Sequence, residues 1–151
     1  MKNIIILFTV LLSSYYTFAQ ETESYKIKFT EPESVVNAIF YSAKEKDYSI
    51  MSLLCDPYNQ GDGETKSLCS ISEIGKKTEN GTVEEESKHL LEMFLNIFTS
   101  AKITGETTYV SEEGLEYAKV PFQFTPLGQN KAIDKTMTLI KRYGNWYLLK
   151  F

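Results

Sequence analysis

The apolar residues of this chain change period at Ala101. Before it they recur at helical spacing, and after it they alternate. A stripe repeating every three to four residues lines one side of a helix, whereas a period of two lines one side of a strand. A chain of 151 residues is thereby divided into a helical half and a strand half. Positions 102–110, 115–125, 131–142 and 146–151 read as four strands. The segments between them are short: Ser111 to Gly114, a longer loop around Pro126 and Gly128, and Gly144-Asn145 as a two-residue hairpin turn. Short connections require antiparallel neighbours, so this half is a meander. Ala118, Val120, Phe122 and Phe124 share one face of the second strand, with Tyr117, Lys119, Pro121 and Gln123 on the other. In the third, Ile133, Met137 and Leu139 oppose Asp134, Thr136 and Thr138. A sheet apolar on one side has to be covered there.

The first half supplies the cover. Thr30, Pro32 and Glu33 have the capping-box form with proline in the first turn. Val35, Val36, Ile39, Phe40 and Ala43 then fall on one helical face, opposite Asn37, Tyr41, Lys44 and Glu45. Asp47 is placed to cap a shorter helix over 48–55 that buries Met51, Leu54 and one of Ile50 or Leu53, and Asp56-Pro57 ends it. Thr82 and Glu85 form a second capping box, with Glu84, Glu85 and Glu86 at the positive end of the helix dipole. The stripe Val83, Leu91, Phe94, Leu95, Phe98 and Ala101 predicts a helix over 83–100. Positions 25–29 alternate as a short strand, and the polar stretch 56–81 reads as loop, with a strand at 70–74 and a turn at Asn80-Gly81. The expectation is an α+β domain, about three helices packed on one face of an antiparallel sheet of four or more strands.

The N-terminus bears on destination. Lys2 precedes an apolar run, 4–12, broken only by Thr9, and small residues stand at Thr17 and Ala19. This is the form of a secretory signal peptide cleaved after Ala19, which implies export to the periplasm or beyond and leaves 20–151 as a single domain. The run is too short to cross ~30 Å of hydrocarbon, which takes about 20 apolar residues as a helix. No cysteine follows it, so a lipid anchor is not expected, and no later stretch is apolar enough to span a membrane. The net charge is −4 without a Lys/Arg cluster, which argues against nucleic acid and against anionic membranes as partners.

Cys55 and Cys69 are the only cysteines. Export permits a disulfide, and a loop of this length would gain ~3 kcal/mol in the chain-entropy account. The alternatives are two free thiols or a metal loop. Asp56, Asn59, Asp62 and Glu64 are oxygen donors but do not follow the calcium-loop spacing. Zinc would need more sulfur or nitrogen than His89 can add. The pair is not Cys-x-x-Cys, so a redox motif is not indicated. A staple is the expected role, with no metal and no cofactor.

A helix opening Pro32-Glu33-Ser34-Val35-Val36, then Lys46-Asp47-Tyr48 with Leu53-Leu54, then a meander ending in Gly144-Asn145-Trp146-Tyr147, resembles the NTF2-like superfamily, in particular its small exported bacterial members. The resemblance spans most of 20–151. It implies a cone-shaped NTF2-like or cystatin-like roll, a curved sheet wrapped around helices with an apolar cavity, and a homodimer through the sheet. Phe40, Phe94, Phe98, Phe122, Phe124 and Trp146 are the residues that would line a ligand cavity; in a filled core they would simply pack. Enzymes of the superfamily place carboxylates, tyrosines or histidines inside the cone. Asp134 and Glu106 are the candidate bases here, and alternation sets Asp134 on the polar sheet face with Thr136 and Thr138. His89 lies nearly opposite the stripe of its helix and should face water. Tyr41 and Tyr117 fall on polar faces, as surface or interface groups. The sequence carries no nucleophile elbow, phosphate-cradling glycine loop or Ser/His/Asp arrangement. The expected function is non-enzymatic binding of a small apolar ligand or a protein partner. The alternatives are a cofactor-free isomerase or dehydratase with a carboxylate base, and a structural dimer joined through Tyr117, Lys119 and Gln123.

Overall fold

A computed structural model describes residues 25–82 and 84–151. The expected leader, 1–19, and Val83 lie outside the described residues. Five helices precede five strands: α1 (Pro32–Glu45), α2 (Met51–Leu54), α3 (Gly63–Cys69), α4 (Ile71–Glu79), α5 (Glu85–Phe98), β1 (Lys102–Ile103), β2 (Thr108–Glu112), β3 (Leu115–Phe124), β4 (Ile133–Arg142) and β5 (Asn145–Lys150). The change of period at Ala101 is the change from helix to sheet.

α1 forms where expected but is not capped as expected. Pro32 is its first residue, and a residue before proline is pushed out of the helical region. Glu31 is therefore the extended N-cap, with φ −117° and ψ 114°, and the Thr30 box is not used. Val35, Val36, Ala38, Ile39 and Ala43 are at most 1% exposed, as a stripe facing a core must be. Lys46, at φ 57°, ends the helix. α2 is a single turn, shorter than the predicted 48–55; it buries Met51 and Leu54, with Ile50 half-buried and Leu53 exposed. Asp47 Oδ1 accepts from the Ser49 backbone N–H at 3.1 Å just ahead of it.

The stretch 56–81 departs most from expectation, since it is largely helical. Asp62 caps α3 by accepting the Thr65 N–H at 2.9 Å, and α4 follows after Ser70. Leu68, Ile71 and Ile74 stand three apart and all face the core, so the apparent strand at 70–74 is a helix read at the wrong period. Positions 25–29 also make no strand. Phe29 meets the start of β5, where its carbonyl accepts from Trp146 N–H at 2.7 Å, and the chain then turns into α1.

The sheet is antiparallel, in the order β1-β3-β4-β5, with β2 also paired to β3. The single strand expected over 102–110 is broken in two. Pro121 of β3 accepts from Thr104 N–H at 3.1 Å on that side but has no N–H to return, and the ladder parts there. The last hairpin turns at Tyr143-Gly144 rather than Gly144-Asn145; both central residues have positive φ, 51° and 84°, as a type I′ turn requires. Ala118, Val120 and Phe122 of β3 and Met137 and Leu139 of β4 are fully buried beneath the helices, whereas Ile133 is 38% exposed at the start of β4. The register of β4 against β5 shifts between Thr138 and Leu139. α1 packs on β5, β1, β3 and α5, and α4 packs on α5.

Cys55 and Cys69 are bonded, with S–S 2.00 Å. The bond ties the end of α3 to chain docked on the outer edge of β5, where Asp56 N–H donates to the Leu148 carbonyl at 3.0 Å. Edge strands left bare invite pairing with other chains, and this contact covers one of them.

Candidate functional site

Three walls leave an apolar crevice of about 320 Å³. Leu68 and Ile71 come from α3 and α4. Leu90, Met93, Phe94, Ile97 and Phe98 come from α5. Phe124 and Phe151 close it from the sheet side. Glu64, Ser67 and Lys135 are the polar groups of the lining, and both charged ones are exposed. Transfer of apolar surface from water to such walls gains roughly 25 cal/mol per Å², so the crevice suits an apolar guest.

The structure brings Phe94, Phe98 and Phe124 to this crevice. Phe98 is the hub: its ring lies 5.2 Å from Phe94, 5.4 Å from Phe151, 6.1 Å from Phe40 and 6.2 Å from Phe122. Phe40 and Phe122 pack behind the lining, at 7% and 0% exposure, as core. Trp146 is elsewhere, beneath Tyr109 at 5.8 Å between ring centres and under Lys141 Nζ at 5.5 Å. Tyr48 meets Phe94 edge-on at 5.9 Å, and burial pushes its phenol above the ordinary tyrosine range.

The candidate bases lie outside the crevice lining. Asp134 is exposed and accepts from Gln123 Nε2 at 3.0 Å. Glu106 is exposed in the break between β1 and β2, and His89 is exposed on α5. Tyr41 is stacked against Tyr25 at 4.6 Å. Tyr117 lines a different hollow of about 490 Å³ on the outer sheet face, with Gln60, Asp62, Val110, Glu112, Lys119, Thr138, Leu149 and Lys150. That hollow is larger but more open, and charged residues line it, so an apolar molecule placed there stays partly in water.

The sequence reading missed the α3–α4 wall and half of the α5 wall. Leu90, Met93 and Ile97 form a second stripe beside the Leu91, Phe94, Phe98 one, and their spacing was the available signal. It also missed a buried ion pair. Asp56, whose side chain is 1% exposed, accepts from Arg142 Nε at 3.2 Å, and Arg142 Nη2 donates to Gln60 Oε1 at 2.6 Å. The Arg142 guanidinium lies 5.0 Å from the centre of the Tyr58 ring. Asp56 and Asp62 are thus engaged within the fold, and among the described residues no three His, Cys, Asp or Glu side chains are grouped to hold a metal.

No family model matches the chain, and no curated protein matches it. A solved chain is similar, Rd1NTF2_05 carrying five substitutions. The similarity covers 77% of this chain and 90% of that one, at 12% identity and a TM-score of 0.43.

Proposed function

We propose that this chain is an exported binding domain of NTF2-like form that takes a small apolar ligand in the crevice between α3–α4, α5 and Phe151, and that it pairs through the outer face of its sheet. The reading rests on the crevice itself. Its volume is about 320 Å³, its walls are aliphatic and aromatic, and its charged groups stand only at the mouth. Small-molecule sites have this make-up, a mostly apolar hollow with a few polar groups. Export is supported by the apolar run behind Lys2 and by the Cys55–Cys69 bond. The isomerase or dehydratase reading has less support, because a general base must reach the bound substrate and Asp134 and Glu106 do not line this crevice.

Nile red, a neutral dye that brightens in apolar surroundings, tests the reading. The protein should enhance and blue-shift its emission with saturation. Met93 is 44% exposed at the crevice, so Met93→Trp should fill the space and abolish the signal without unfolding the chain. Absence of enhancement with the unaltered protein, or equal enhancement with the variant, refutes it.

A further inference from the structure

We infer that the crevice holds a free single-chain amphiphile with an anionic head, a fatty-acid-like carboxylate, whose head group meets Lys135; the inference rests on the apolar-ligand reading of the same crevice. Two charged residues contribute to the lining, Glu64 from the first turn of α3 and Lys135 from β4. Lys135 is paired in register with Phe122 and alternates with Met137 and Leu139. Its side chain therefore leaves the sheet on the face that carries the core, not on the outer face.

Ion pairs among the described residues join Lys28 to Glu31, Lys88 to Glu85, Lys141 to Glu116 and Arg142 to Asp56. Among those residues neither Lys135 nor Glu64 is in an ion pair, and Lys135 is the cation of the lining. The hydroxyl of Ser67 is already committed to the Gly63 carbonyl at 3.0 Å. A carboxylate cannot enter the apolar interior without losing its hydration, so the head stays at the mouth and only the tail enters. A volume of about 320 Å³ is at the small end for ligand sites, which favours one acyl chain over two. Glu64 opposes a second negative charge at the same mouth.

Decanoate, decanol and decyltrimethylammonium, titrated calorimetrically below their micelle thresholds, separate head from tail. Decanoate should bind tightest. Lys135→Gln should weaken decanoate about three- to fivefold and leave decanol unchanged, and Glu64→Gln should tighten decanoate by a similar factor. Both positions are exposed, and thermal melts confirm that the variants fold. Equal affinity for the three amphiphiles, or no effect of Lys135→Gln on decanoate, overturns the anionic head and leaves the crevice reading standing. Failure of all three to bind removes both.

Discussion

At the scale of single residues, the most consequential group outside the crevice is Asp56. Its carboxylate is 1% exposed and Arg142 is 11% exposed, and the pair fixes the chain after α2 onto the sheet near its last hairpin. Two ions removed from water are tolerable only while each remains matched, and deleting one partner leaves the other stranded. Asp56→Ala should lower the free energy of unfolding by about 3–5 kcal/mol in urea titrations. Glu85→Ala, which breaks the exposed pair with Lys88, should change it by less than about 1 kcal/mol, and comparable losses in the two variants would overturn the account. Nothing local announced this pair. Asp56-Pro57 is a normal way to end a helix, and the partner stands 86 positions away in the sequence. A long-range ion pair has no period and no spacing from which to be read.

At the scale of elements, α4 shows a glycine chosen for contact. A Cβ built on Gly75 would sit 2.6 Å from Tyr48 Cδ2 and 3.0 Å from Tyr48 Cβ, so the helix touches the tyrosine through bare backbone. Alanine is the better helix former by about 1 kcal/mol, and at an exposed site Gly→Ala would stabilise. Here overpacking dominates, and Gly75→Ala should lower the unfolding free energy by about 1–3 kcal/mol in the same titrations. An unchanged or raised midpoint would show that α4 can slide away from Tyr48 without loss. The same region marks where the sequence stopped being legible. α1, α5, β3 and β4 carry long stripes of one period, and each lies where its stripe placed it, to within a few residues at the ends. α3 and α4 are short and mostly polar, with Leu68, Ile71 and Ile74 as their only large buried apolar residues. Five residues such as Ser70 to Ile74 fit either period, and packing on α2 and α5 selects the helix. Because these helices form one wall of the crevice, only its Phe94, Phe98 and Phe124 side is legible in the sequence, and Trp146 lies apart from it against Tyr109.

For the whole molecule, the outer sheet face is the surface left to explain, since the inner face is covered by helices. It is not a plain polar surface. The chain after Cys55 reaches across to Arg142 and leaves beside it the 490 Å³ hollow rimmed by Asp62, Glu112, Lys119 and Lys150. Glu112 and Lys119 on one patch can satisfy each other across a two-fold axis, where residue i of one copy meets residue j of the other and the reverse. The proposed homodimer would meet a self-complementary arrangement of charge here, with Tyr117 as an aromatic surface within it. The dimer should appear in sedimentation velocity as a concentration-dependent shift that weakens with added salt, because pairs of this kind are screened over about 8 Å at physiological ionic strength. Lys119→Glu should shift the equilibrium toward monomer, and so should Glu112→Lys. Mixing the two variants should restore association, since each then offers the charge the other lacks. A species that sediments as a monomer at every concentration, or a dimer indifferent to both substitutions, would take the contact away from this face.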